Sequence, residues 1–139
     1  MDISELLKYQ LDNITLQVTK VFEGIGDSAK DARSAAGAMS PRETLAHLAE
    51  CYHASLLAFE GKEHEWGTYQ IETADWDALS LKVFELRSRV VGHILANPNE
   101  KTAKAATDYV ILHDAYHVGQ MATLRIETDT EWNPYCLYG

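Results

Sequence analysis

Residues 40–48 read Ser40-Pro41-Arg42-Glu43-Thr44-Leu45-Ala46-His47-Leu48. Ser40 can accept from the free N–H groups of a first helical turn, and Glu43, three residues on, can reach back to the Ser40 amide. Pro41 has no N–H to lose at the first helical position, and its fixed φ suits it. A helix therefore begins at Pro41, and it should end near Gly61. At about 100° per residue, Leu45, Leu48, Tyr52, Leu56 and Phe59 form one apolar stripe. Arg42, Glu43, Glu50, His53 and Glu60 lie opposite and are expected to face water. Between them runs a flank of Thr44, His47, Cys51, Ala54, Ser55 and Ala58, in which His47 is the one large polar group among small residues. Small residues let a neighbouring helix approach or leave a hollow, and His47 stands at its edge.

Outward from this helix the same periodicity recurs. Towards the N-terminus, Leu7, Leu11, Ile14, Val18, Val21 and Ile25 repeat at three- and four-residue spacing over about Ile3–Phe22, and Gly24 and Gly26 stop the pattern. Towards the C-terminus, 62–73 has no period and reads as a loop. A third helix runs from near Asp75 to about Ala96, with Trp76, Leu79, Val83, Leu86 and Val90 on one stripe, until Asn97-Pro98-Asn99 ends it. A fourth spans about Ala103 to Glu127, and Asn133-Pro134 breaks the tail. Four amphipathic segments without strand-like alternation predict one all-α domain over 1–139, an up-and-down four-helix bundle of antiparallel helices.

Composition narrows the function. The chain has 139 residues, 46% of them hydrophobic and 24% charged, values of a globular domain large enough to bury a core without staples. A net charge of −9 opposes binding to nucleic-acid phosphates and to anionic membranes. The two cysteines, Cys51 and Cys136, form no disulfide framework and no paired-cysteine zinc motif. The N-terminus lacks the basic-then-apolar order of a secretory signal, and no apolar run reaches membrane-spanning length. These features predict a cytoplasmic protein with reduced thiols.

The fourth helix carries His113-Asp114-Ala115-Tyr116-His117. Histidines four apart stack on one helix face and can both reach one point, a common way to supply two metal ligands. The other reading of such a pair is two core histidines bonded to Tyr or backbone groups. The spacing also matches the zinc-protease helix motif, but Asp114 stands where that motif has its glutamate base, and no third ligand with fitting spacing follows. Tyr109, Gln120 and Leu124 share the histidine face, so Tyr109 and Gln120 are candidates to support a site. Asp114 points away from the rings, towards solvent or another helix. The helix is apolar on almost every side, which predicts a central position. Its strip of Ala115, Gly119 and Ala122 suits close packing against a neighbouring helix or a second copy, and a homodimer is expected. His53 and His64 read as surface residues. His93, in a last helical turn, faces the negative end of a helix dipole. Trp66, Trp76 and Trp132 read as apolar fillers.

Residues 40–48 together with His113-Asp114-Ala115-Tyr116-His117-Val118-Gly119-Gln120 resemble the second-helix and last-helix signatures of the DinB-like (DinB/YfiT) superfamily. Length and helix order fit it over essentially the whole chain. The resemblance implies a four-helix bundle holding one divalent metal, zinc or nickel, with His47, His113 and His117 as ligands. Three imidazoles leave a coordination position open, the arrangement of catalytic rather than structural sites. Some such proteins are transferases or isomerases that use a low-molecular-weight thiol, which implies a small-molecule substrate. Cys51, one turn after His47, is a soft fourth ligand, a substrate-facing thiol or a small buried residue. Arg87 and Arg125 are the candidates, by sign alone, to hold an anionic thiol. Because no catalytic carboxylate is evident beside the triad, a metal-binding module without turnover, with a stress-related or regulatory role, stays open next to the enzyme, with a metal-dependent hydrolase as a remoter reading.

Overall fold

A computed structural model describes all residues, Met1–Gly139, and contains helices and no strand. Helix α1 spans Ile3–Phe22 and α2 spans Pro41–Phe59; α3 spans Trp76–Ala96. The last helical stretch begins with the short α4, Glu100–Ala105, passes through a π-helical segment, Ala106–Ile111, and continues as α5, Leu112–Thr128. A 3₁₀ turn, Pro134–Tyr138, closes the chain. No helix is long and apolar enough to cross a membrane.

The helix starts follow from local chemistry. Asp2 and Ser40 each accept from the N3 amide while the N3 glutamate reaches back, so both boxes close. Asp75 caps α3 through the Ala78 amide. The left-handed φ of Gly24 (67°) and Gly61 (73°) turns the chain away just past α1 and α2, a conformation a Cβ would oppose.

The core is built from the predicted stripes. Leu11, Val18 and Val21 of α1, Leu45, Leu48 and Tyr52 of α2, and Leu79, Val83, Val90 and Ile94 of α3 are almost wholly buried. Val110, Val118 and Met121 complete the same cluster from the last helical stretch. Helix α1 packs on α5 and α3, while α2 packs on α3 and α5.

The topology differs from the expected antiparallel alternation. Arg42, at the start of α2, donates to the carbonyl oxygen of Thr73 (2.7 Å) and lies over the Trp76 ring at the start of α3. At the far ends of the same two helices, Phe59 stacks on His93 with centroids 4.1 Å apart. So α2 and α3 run parallel. Arg125, near the end of α5, donates to carbonyls at the end of α1, so α1 and α5 are parallel as well. Phe22 meets Trp76, which sets α1 against α3, and the bundle is up-down-down-up. The physical reason is the length of the 60–75 connection. At about 3.3 Å per residue it can return along the whole of α2, itself about 28 Å long.

That return path corrects three surface expectations. Glu50 is covered, its Oε1 accepting from the Gly67 amide (2.6 Å) and paired with His64 Nε2 (2.8 Å). His53 stacks on Tyr69 with centroids 4.4 Å apart. The side chain of His64 is only 6% exposed. A water-facing strip of α2 thereby becomes the seat of the loop. Trp66, expected as a filler, is instead 57% exposed. Trp76 is half-buried under Lys30 and Arg42, and Trp132 lies under Arg125.

The last helical stretch is also less central than its composition implies. Leu112 (62%), Tyr116 (64%) and Ile126 (52%) are open to solvent. Ala115 and Gly119 are exposed and Ala122 is half-buried; with the buried Val118 they wall a groove of about 400 Å³ against Gln17 of α1 and Tyr135, Leu137 and Tyr138.

Candidate metal centre

His47 belongs to α2, and His113 and His117 to α5; the two helices run antiparallel past each other. The π segment ends just before His113, so the histidine pair lies wholly in regular α-helix and keeps its one-turn stacking. The Nε2 atoms converge: His113 Nε2 is 3.2 Å from His47 Nε2 and 3.2 Å from His117 Nε2. The three ligand atoms all lie within 4.8 Å of one another. His117 is buried, and the His113 side chain keeps 23% exposure.

The hydrogen bonding around the rings suits a cation between them. His117 Nδ1 donates to Gln120 Oε1 (3.0 Å), which leaves its Nε2 as a lone pair facing inward. Gln120 is itself held, its amide donating to Tyr116 Oη (3.1 Å). His113 Nδ1 is buried and has no hydrogen-bond partner; the nearest carboxylate oxygen, Asp114 Oδ1, stands 3.7 Å away. Burial, with the charge of His113 and then His47, pushes the His117 pKa down to about 4. Burial first, then His113, lowers that of His47. These two imidazoles are therefore neutral at pH 7, the state a metal requires. Nitrogens sharing a metal at about 2.1 Å stand about 3.0–3.4 Å apart in octahedral or tetrahedral geometry. Two of the three edges, at 3.2 Å, fall in that interval and the third lies within 4.8 Å, so the three histidines could hold a metal ion.

Cys51 adjoins the group. Its Sγ is 3.6 Å from His47 Nε2 and 3.7 Å from His113 Nε2. Burial, then the negative charges of Asp114 and Glu50, push this thiol up to about 12.

Asp114 is fully buried, which corrects the solvent half of its expectation and supports the other-helix half. It accepts from Tyr52 Oη (2.8 Å) on α2 and from Arg87 Nε (3.0 Å) on α3. Arg87 Nη1 in turn donates to Thr15 Oγ1 (2.7 Å) on α1, so one polar chain crosses all the long helices beneath the histidines. Burial first, then Asp114, drives the Tyr52 phenol well above its ordinary value and keeps it a neutral donor.

Two expectations about cations fail for the same reason. Arg87 is 3% exposed and committed to Asp114 and Thr15. Arg125, also 3% exposed, donates to the carbonyls of Val21 (3.2 Å) and Glu23 (2.7 Å), where it satisfies the open end of α1. Neither guanidinium is free to hold an anionic thiol. Tyr109 falls in the π segment, where it lines cavities with Ala58, one of them shared with His64 and neither with His47, His113 or His117. Leu124 packs with Ile25 and Ala29 at the end of the bundle. None of the five principal cavities is lined by the histidines; one of about 180 Å³, lined by Ala38, Met39, Gln120 and Met121, reaches the partner of His117. The Asp114–Arg87 contact escaped the sequence reading because nothing in linear order joins these positions. Comparison with protein-family models, with curated proteins and with solved structures returned no match.

Proposed function

We propose that this chain is a DinB/YfiT-like metal protein in which His47, His113 and His117 hold one divalent ion, zinc or nickel, and that it acts on a small molecule by thiol-dependent group transfer. The observation that carries this reading is the convergence of the three Nε2 atoms from two helices on one point. The two sequence signatures and the approach of the three histidines support the family assignment. A divalent ion in this place supplies Lewis acidity that favours the deprotonated form of a thiol or water. The protein's own contributions follow from its contacts: Gln120 orients His117 and fixes its tautomer, and the His113 side chain keeps partial exposure to solvent.

A specific observation favours a second reading, a metal-binding module without turnover. The carboxylate next to the triad, Asp114, is bound up in the core, and both candidate arginines serve the scaffold. A metal-dependent hydrolase would need a free base that these contacts do not supply.

Metal analysis of protein purified without an affinity tag tests the site. One equivalent of zinc or nickel is expected, with loss of stoichiometric binding in His47→Ala, His113→Ala and His117→Ala. Full metal content in all three variants ends the reading. Turnover of electrophilic substrates with low-molecular-weight thiols then separates enzyme from module, and no turnover with any thiol favours the module.

We also propose a homodimer through the open face of α5. Exposed Leu112 and Tyr116 stand beside exposed Ala115 and Gly119, and Gly119 leaves free space where a Cβ would be. A protruding ring one turn from a bare backbone can complement itself across a two-fold axis. Light scattering should give twice the chain mass at micromolar concentration; a monomer mass throughout that range refutes it.

A further inference from the structure

We propose that Cys51 Sγ is a fourth ligand of the metal centre, so that the resting site is a three-histidine, one-thiolate centre suited to zinc. This deepens the metal reading above and rests on it. Helix α2 places Cys51 one turn beyond His47 on the same flank, and the residue is 5% exposed. Its Sγ is in polar contact with His47 Nε2 (3.6 Å) and His113 Nε2 (3.7 Å) and with no other group. In a tetrahedral zinc site, with nitrogens at about 2.1 Å and sulfur at about 2.3 Å, a sulfur and a nitrogen stand about 3.6 Å apart. Two edges of such a polyhedron are therefore already present around the thiol. His117 is the one histidine of the triad with which Sγ makes no contact, and the metal must draw the thiol to that edge as it binds.

The chemistry balances without a redox change. As the sulfur–metal bond forms, the S–H proton leaves to solvent, and the thiolate replaces a water. Soft donors raise selectivity for zinc over harder ions such as magnesium or manganese. A closed fourth position also makes an incoming thiol or substrate compete with Cys51, or expand the coordination number, before it can reach the metal.

The test uses the full-length protein loaded with cobalt(II), in buffer reduced by a phosphine and free of added thiols. Wild type and Cys136→Ser should show a sulfur-to-cobalt charge-transfer band. Cys51→Ser and Cys51→Ala should lose that band while retaining one equivalent of cobalt. An unchanged spectrum in cobalt-loaded Cys51→Ser overturns the proposal and leaves the triad standing. Failure of wild type to bind cobalt, or equal binding by His47→Ala, overturns the triad and Cys51 together. Should the Cys51 variants not fold, zinc-edge X-ray absorption of the wild type and of Cys136→Ser answers the same question. One sulfur scatterer at about 2.3 Å in both is expected, and a shell of nitrogen and oxygen alone overturns the assignment.

Discussion

A buried carboxylate next to a metal ligand can serve the metal or the scaffold, and contacts tell which. Asp114 follows His113 in sequence, yet its two short bonds go to Tyr52 and Arg87, and His113 Nδ1 is left at 3.7 Å. Its first task is thus to neutralise Arg87 inside the bundle. Removing one partner of a buried pair leaves the other charge uncompensated, which costs about 3–5 kcal/mol. Asp114→Ala should lose stability of that order in urea denaturation while its folded fraction still binds one metal ion. A loss below about 1 kcal/mol would show that Arg87 finds another partner. Gln120 is the reverse case: a neutral amide whose oxygen accepts from the His117 ring, so it serves the histidine group rather than the core.

At the scale of elements, each long helix is started by its own cap and oriented by its connections. The box at Ser40 satisfies amides at the entrance of α2, the helix that carries both His47 and Cys51. Ser40→Ala should lower global stability by about 1 kcal/mol and leave metal stoichiometry unchanged; a drop in metal content instead would mean that the cap positions the site. The 60–75 connection does more than join α2 to α3. By binding Glu50 and stacking Tyr69 on His53, it covers the polar side of α2 and permits the parallel return. The π segment before α5 is the counterpart on the other side of the site, since it changes the helical phase between Tyr109 and the histidines. A uniform helical wheel over the last helix therefore put Tyr109 on the histidine face wrongly, whereas it paired His113 with His117 correctly, because both follow the segment.

Over the whole molecule, the histidine group and the fold are linked through protons, and through a metal ion if the group holds one. The unfolded His117 titrates near 6.5, and its folded value is lowered to about 4 by burial and by its two histidine neighbours. Between those values the unfolded chain binds more protons than the folded one, so stability rises with pH across the window. The contribution of His117 is complete above pH 6.5 and is lost as pH falls towards 4, and the lowered His47 acts in the same direction. Metal-free protein should accordingly lose melting temperature between those pH values. Zinc at a hundredfold excess over its dissociation constant should add about 2.7 kcal/mol at neutral pH. Calorimetry with and without zinc at pH 7.5 and 4 measures both; a zinc shift that is the same at the two values would contradict the histidine ligands.

The linear order of residues was sufficient for the helices, the core stripes, and the three histidines that the structure brings together. Caps, three- and four-residue periodicity and a one-turn histidine spacing are local properties, fixed by the geometry of a single helix. Which helices run parallel, whether Asp114 faces solvent, and where Arg87, Arg125 and the 60–75 segment lie could not be read that way. Each depends on partners from distant positions. Asp114 needs Arg87 from α3 and Tyr52 from α2 before burial is tolerable, and Arg125 is drawn inward by the open carbonyls of α1. Only packing brings such partners within a bond length of one another. A helical wheel that knows nothing of those partners assigns charged groups to water, where an unpaired charge would be most stable.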